Sequence, residues 1–304
     1  MSTPTPSDVL TTLSEGMADA VAHAAAGIVT VNGRRRLPAS GIVWDAQTVV
    51  TASHVVERDD NLTIGLPDGT TVPATLVGRD HGSDLVVLSA ELGDITPLAR
   101  VAHSVRVGQL ALAIGRAGSD GVRATFGAIS TVGGAWRTIN GSKVSGYVRA
   151  ELTMLPGFSG GPLISTAGEL IGLNTSALGR DGGITLPVSA IEPIVADLRE
   201  HGRLRRGYLG IASQSVDIPA SLVETVATGQ ARGLLIVHVE PDGPASTAGL
   251  LLGDVLLAIN RQPVTDTASL QEQLGPETVG TALGARLVRG GAIMDLSITV
   301  GTRQ

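Results

Sequence analysis

PGFSGGPL, residues 156–163, is the stretch from which this chain can be read. Glycines on both sides of Ser159 let the backbone fold tightly enough to present a hydroxyl and two amides together, so Ser159 is a candidate nucleophile. An unassisted serine hydroxyl attacks poorly at neutral pH and needs a base, with a further group to orient that base. Both are available upstream. His54 sits in TASHVV (51–56) at the end of an apolar strand pattern, and Asp84 sits in SDLVVL (83–88) directly before another. The order is His, Asp, Ser, with each group on a different part of one domain, as a catalytic triad shared between two barrels requires. Asp80, four residues before Asp84, is a rival orienter; its place further from the apolar strand favours Asp84.

Working outward, the pattern on either side of these motifs is β. Short β-branched runs separated by turn residues fall at 28–31, 41–44, 48–52, 62–66, 71–78, 85–89, 110–114, 123–132, 146–150, 162–164, 170–174 and 183–187. About twelve such runs suit two six-stranded barrels, which hide their strand edges. Forty Gly and fifteen Pro against six aromatic residues fit tight turns between aliphatic strands. Before them, residues 7–22 place Leu10, Leu13, Met17 and Val21 at helical spacing with Ser7 as the expected cap. After them, Ser189 and Glu192 read as a capping box for a helix whose apolar face is Ile191, Ile194, Val195 and Leu198, closed by Gly202.

An Arg-rich joint with Arg203, Arg205 and Arg206 follows, and the hydrophobic pattern restarts at Tyr208. The expected organisation is an N-terminal segment with a short helix (1–27), a first domain (28–201), a linker (202–206) and a second domain (207–304). The last part reads as strand, loop, strand (233–239), a helical turn after Pro244, strand (254–260), helix (267–274) and two final strands, with Gly275 and Pro276 stopping the helix.

Composition removes several functions. Without cysteine there is no disulfide framework, thiol nucleophile, thiolate zinc site or iron–sulfur ligation. A net charge of −6 argues against nucleic acid as a partner. No metal constellation, dinucleotide loop or phosphate-cradling lysine motif is visible, so the expectation is catalysis with no cofactor and no metal. The first basic residue is Arg34, so no leader is legible, and no uncharged apolar run approaches the roughly 20 residues of a membrane span. On this reading the default location is cytoplasmic.

These motifs resemble the HtrA/DegP family of trypsin-like serine proteases, in which a chymotrypsin-type double β-barrel is followed by a PDZ domain; the fold class implied is mostly β, with a β-rich α+β second domain. TASHVV, SDLVVL and PGFSGGPL look like that family's His, Asp and Ser motifs, and GLNTSALGRDGGITLPVSAI (172–191) looks like its specificity loop and closing helix. The resemblance implies that Ser159 attacks a peptide carbonyl, His54 takes and returns the proton, and Asp84 holds the imidazole. The amides of Gly157 and Ser159 would form the oxyanion hole. The family usually has Asn where Phe158 stands, a change that fits if the ring points outward, and Asp where Glu151 stands. By analogy the substrate pocket is walled by Thr153, Leu155, Ala177, Leu178 and Thr185, uncharged residues that favour cleavage after Val, Ala or Thr.

RGYLGI (206–211) and GPASTAGLLLGDVLLAINRQPV (243–264) resemble PDZ motifs. The implied ligand is an apolar C-terminal peptide, its carboxylate held by the amides of Tyr208, Leu209, Gly210 and Ile211, with Leu270 and Leu274 lining the pocket one helical turn apart. Partners implied are unfolded protein or peptide substrates and a homo-oligomer, trimeric in the family, which is often extracytoplasmic. The alternative function is a peptide-binding, chaperone-like protein whose protease site is idle.

Overall fold

A computed structural model describes residues 6–118, 121–140, 142–179, 183–205, 207–218 and 230–302. Arg206 and Arg180 to Gly182, which belong to the motifs above, lie outside the described residues, as does the side chain of Ser7. The chain divides into two units, Met1–Leu204 and Arg205–Gln304.

The first unit begins with helix α1 (Pro6–Ala25) and contains two closed six-stranded barrels. Barrel one comprises β1 (Ile28–Asn32), β2 (Ala39–Asp45), β3 (Thr48–Ala52), β4 (Leu62–Gly65), β5 (Thr71–Asp80) and β6 (Leu85–Ala90), ordered β1-β2-β3-β6-β5-β4. Later in the chain, between residues 133 and 147 and so between two strands of the second barrel, lie the short pair β9 (Trp136–Arg137) and β10 (Lys143–Val144). Barrel two comprises β7 (Leu110–Gly115), β8 (Arg123–Gly133), β11 (Tyr147–Glu151), β12 (Pro162–Ser165), β13 (Leu170–Thr175) and β14 (Ile184–Pro187), ordered β11-β14-β13-β12-β7-β8. β3 and β13 are buried at every residue. That is why they read as unbroken apolar or Thr-rich runs instead of alternating ones.

Two expectations about helices change. The start of α1 includes Pro6, so Ser7 lies within the helix instead of capping it. Its expected apolar face is covered only toward the C-terminus: Ala20 and Ala24 are buried and Met17 and Val21 pack against the core, while Leu10 and Leu13 are exposed. The Arg116 guanidinium holds that end, donating to the carbonyls of Ala25 (2.9 Å) and Ile28 (2.8 Å). Helix α2 (Val188–His201) starts two residues earlier than expected, with Pro187 at the N-cap and no side-chain cap. The Ser189–Glu192 capping box therefore does not form; Glu192 instead pairs with Arg100. Gly202 ends α2 at φ 71°, a left-handed C-cap that glycine adopts without a Cβ penalty.

The second unit carries a sheet built on β16 (Ile211–Asp217), β17 (Arg232–Val239), β18 (Val255–Ile259), β20 (Ala282–Arg289) and β21 (Ala292–Thr299), with β19 (Gln262–Pro263) beside β18. β15 (Gly207–Tyr208) pairs with β22 (Gly301–Thr302). Its core includes Leu234, Ile236, Leu256, Ile259, Leu287 and Ile298. The helix Thr267–Glu272 is capped by Asp266 and Ser269, each side chain bonded to the other's backbone.

Asp254 anchors this unit electrostatically. Its carboxylate is almost fully buried, accepts from Arg289 Nε (2.8 Å) and Nη2 (2.6 Å), and also accepts from the Leu251 amide. Burial opposes ionisation, but the Arg289 hydrogen bonds outweigh it together with the Leu251 amide, and the carboxyl is held below its ordinary value. A depressed carboxyl stabilises the fold above its unfolded-state value, near pH 4, and that contribution is lost as pH falls through the folded value. The unfolding midpoint of the second unit is therefore expected to drop on acidification below about pH 4. Asp254→Asn lowers the midpoint at pH 7 and flattens the acid drop, measured by circular dichroism across pH.

Candidate active site

His54 and Asp84 meet because of strand register. β3 pairs with β6 so that Ala52 lies opposite Leu85, which sets the residue two past the end of β3 beside the residue just before β6. A short 3₁₀ turn, Ser53–Val55, carries His54. Asp84 adopts φ 57°, a left-handed conformation that aspartate tolerates better than most residues. Its carbonyl accepts from the Ser53 amide (2.9 Å). Asp84 Oδ1 then accepts from the His54 amide (2.8 Å) and Oδ2 from His54 Nδ1 (2.8 Å). Thr175, the last residue of β13, also donates its hydroxyl to Oδ2. With three donors converging, the buried carboxylate is an acceptor throughout, so the imidazole proton sits on Nδ1 and leaves Nε2 free to accept. Asp80 does not face His54: its carboxylate accepts from the Ser83 amide (2.7 Å) and the Ser142 hydroxyl (3.3 Å).

Ser159 lies in the loop between β11 and β12, and barrel one buttresses that loop. Ser40 donates its hydroxyl to the Gly157 carbonyl (2.6 Å) and receives the Arg116 amide (2.8 Å), while Thr51 donates to the Ser40 carbonyl (2.7 Å). Arg123 Nη2 donates to the Pro156 carbonyl (2.7 Å). Gly160 must be glycine on two counts: φ is 85°, and a Cβ would lie 2.1 Å from Thr51 Oγ1 and 2.2 Å from the Ser40 carbonyl oxygen. Asn174 closes the loop, accepting from the Gly160 amide and donating to the Gly161 carbonyl, both at 2.8 Å. Among the described residues, neither the Gly157 nor the Ser159 amide has an acceptor within the protein. Donors in a buried loop without partners suit an incoming oxyanion.

Phe158 departs from expectation. Its ring is fully buried among Ala111, Ala113, Ile129, Val148, Leu163 and Ile171 in barrel two, not turned outward. Gly115 makes room for it: a Cβ there would come within 2.4 Å of the ring. The bulky residue thus pins the active-site loop to a core, an arrangement that motif reading could not anticipate because Gly115 is distant in sequence. Phe158→Ala is expected to cost about 3–5 kcal/mol by leaving a cavity, measured by denaturant unfolding, with a matching loss of order at the Gly157 amide.

A cavity of about 210 Å³ lies in barrel two, lined by Arg149, Ala150, Glu151, Leu152, Met154, Leu163, Asn174, Gly183, Ile184 and Thr185. Thr185 is the one residue it shares with the expected pocket walls, and neither His54 nor Ser159 lines it. Leu178 is buried in the main core, Leu155 packs against the Phe158 cluster, and the Thr153 carbonyl accepts from the Thr125 hydroxyl (2.8 Å). Thr185 donates to Asn174 Oδ1 (2.7 Å). Residues that sequence reading missed are Ser40, Thr175, Ser176 and Asn174, each contributing through a bond to a residue elsewhere in the chain. NTS within GLNTSALG was the only local hint.

In the second unit, Leu209 is buried and Gly210 has φ 76°. The carbonyls of Leu209 and Gly210 accept from the amides of Ala245 and Glu240, both at 2.8 Å, which fixes the turn between Tyr208 and Ile211. Leu270 is buried in the core of this unit. Leu274 lies two residues past the helix, which ends at Glu272, yet packs against the same core cluster as Leu270; its carbonyl accepts from the Gly207 amide. The helix stops early because Gln273 and Leu274 already take 3₁₀-type bonds before Gly275.

Comparison with known proteins agrees with this architecture. A family model described as trypsin-like peptidase domain matches residues 39–173, and one described as PDZ domain matches 207–300. The chain is 31% identical over 274 residues to a probable periplasmic serine endoprotease DegP-like of Halomonas elongata, covering 88% of this chain and 57% of that one. It therefore spans somewhat more than half the length of the curated relatives it matches. It is similar to the solved HtrA-type protease AlgW with tripeptide (30% identity, TM-score 0.70, 95% of this chain and 97% of that one). It is also similar to the serine endoprotease from Yersinia pestis (27% identity, TM-score 0.74, both chains fully covered).

One expectation is overturned by these relatives. The cytoplasmic default does not stand, because the curated relatives are named as periplasmic proteins. Among the described residues, no helix is long and apolar enough to cross a membrane.

Proposed function

This chain belongs to the HtrA/DegP family of trypsin-like serine proteases with a PDZ domain, and on that premise we propose that it is an ATP-independent serine endopeptidase acting on unfolded or damaged proteins. The observation that carries the reading is the convergence of three donors on Asp84, which leaves His54 Nε2 as the acceptor facing the Ser159 loop. In the proposed mechanism Ser159 Oγ attacks the scissile carbonyl while His54 Nε2 takes its proton. The oxyanion of the tetrahedral intermediate is received by the Gly157 and Ser159 amides, each such donor contributing on the order of 10²–10³ in kcat. His54 then returns the proton to the leaving amine, and water attacks the acyl-enzyme by the reverse route. No step calls on a cofactor.

Cleavage after Val, Ala or Thr is the proposed preference, resting on the uncharged residues Thr153, Leu155, Ala177, Leu178 and Thr185 that the family resemblance places at the substrate pocket. The proposal includes apolar C-terminal peptides as ligands of the Tyr208–Ile211 turn, a homo-oligomer of the trimeric kind found in the family, and an extracytoplasmic location like that of the relatives. The test is incubation of an unfolded, disulfide-free protein with the enzyme at neutral pH without ATP, followed by sequencing of fragment ends. Endoproteolytic fragments are expected, and reaction with a serine-directed phosphonate should place the adduct on Ser159. An intact substrate together with an unlabelled Ser159 defeats the reading.

A further inference from the structure

Ser176 stands between the nucleophile and the base. Its hydroxyl lies 3.1 Å from Ser159 Oγ, its amide donates to Ser159 Oγ at 3.3 Å, and its hydroxyl is 3.5 Å from His54 Nε2. Among the described residues no hydrogen bond joins Ser159 directly to His54. The position is fixed from behind: Thr175, its neighbour, anchors on the carboxylate that orients His54. One carboxylate therefore sets both the base and the residue that intervenes before it.

We infer that Ser176 is a positioning residue that parks Ser159 away from His54 in the peptide-free enzyme, so that acylation begins with rotation of the Ser159 hydroxyl out of its hold. Two groups of Ser176 engage Ser159, and the amide contact occupies one of the two lone pairs of the attacking oxygen. The same hydroxyl reaches Nε2 only at the outer limit of hydrogen-bond distance, which makes a poor path for moving a proton from Ser159 through Ser176 to His54. The geometry thus favours a brake over a relay. This inference rests on the endopeptidase reading above.

The test compares wild type, Ser176→Ala and Ser176→Thr by the second-order rate of inactivation with diisopropyl fluorophosphate. In that reaction the Ser159 Oγ–P bond forms, the P–F bond breaks with loss of fluoride, and His54 receives the proton. Ser176 is exposed, so removal of its oxygen leaves no cavity. Ser176→Ala should react about three- to tenfold faster, the span of one neutral hydrogen bond. On a peptide substrate kcat should rise by the same factor with KM unchanged, and Ser176→Thr, which restores the hydroxyl, should return both rates toward wild type. An unchanged rate for Ser176→Ala overturns the inference and leaves the protease reading intact, and a slower one does so in favour of a relay. Labelling of Ser159 in none of the three proteins overturns the protease reading and this inference with it.

Discussion

Ser159→Ala is expected to lower kcat for cleavage of an unfolded protein by a factor on the order of 10⁶, the scale on which a serine protease loses its nucleophile. The fold should survive the change. Among the described residues Ser159 Oγ bonds only to Ser176, whereas the loop itself is held by Ser40 on Gly157, Arg123 on Pro156, and Asn174 on Gly160 and Gly161. The variant therefore isolates the hydroxyl from the scaffold. Binding of substrate should persist at near wild-type strength, because the two free amides are unchanged. Residual turnover from those donors is expected to remain above the uncatalysed rate. Fluorescence release from a labelled casein-like chain, with KM measured in parallel, checks both halves; retention of more than a trace of activity would mean that another group attacks.

Asp84→Asn is expected to cost about 10⁴ in kcat while leaving the fold in place. The substitution preserves shape but not hydrogen-bond polarity. Asp84 accepts from the His54 amide, His54 Nδ1 and the Thr175 hydroxyl, and of these only the backbone amide cannot adjust. An Asn side chain would satisfy that amide with its oxygen and present its NH₂ to Nδ1. The imidazole would then have to carry its proton on Nε2, which no longer accepts from Ser159. The loss should appear in kcat with little change in KM, and the rate of phosphonylation should fall in step. Asp80→Asn makes the contrasting control. Its carboxylate serves Ser83 and Ser142 in a structural turn, so the variant should lose stability and keep His54 oriented. Equal loss of kcat in both variants would mean that neither residue alone orients the base.

Much of the fold was legible because it is written in local pattern. Every one of the twelve runs read along the first domain corresponds to a barrel strand, since β-branched residues bounded by Gly, Asp and Asn carry their own signal. Helix α2 was legible from its apolar spacing and from Gly202, yet its start was misread. Pro187 occupies the N-cap, and Ser189 falls inside the first turn. The cap lies two residues before the expected one, a shift of register that periodicity does not resolve. The short two-stranded pair β9–β10 went unread for a related reason: two-residue strands have no period to detect.

The candidate site divides in the same way. His54, Asp84 and Ser159 were legible because each sits in a motif with its own backbone requirement, including the left-handed turn at Asp84 and the glycines around Ser159. Phe158 was not. Whether a ring in an active-site loop points to solvent or into a core depends on a glycine on another strand, and Gly115 carries no mark of that duty in its own neighbourhood. Burial is equally illegible for two of the expected pocket residues: Leu178 is buried in the main core and Leu155 packs against the Phe158 cluster. Leu274 was placed on a helix that ends two residues before it.

The sequence by itself determined the element types, the two-barrel plan followed by a smaller sheet, and the motifs that make His54, a neighbouring aspartate and Ser159 candidates for acyl transfer. These follow from side-chain chemistry and from spacing along one strand or turn. Tertiary structure alone decided which carboxylate meets His54, that Phe158 is buried, which residues line the cavity, and that Ser176 comes between nucleophile and base. Each of those depends on strand register and on packing between residues far apart in the chain, and the energy of such contacts depends on distances that no local pattern encodes.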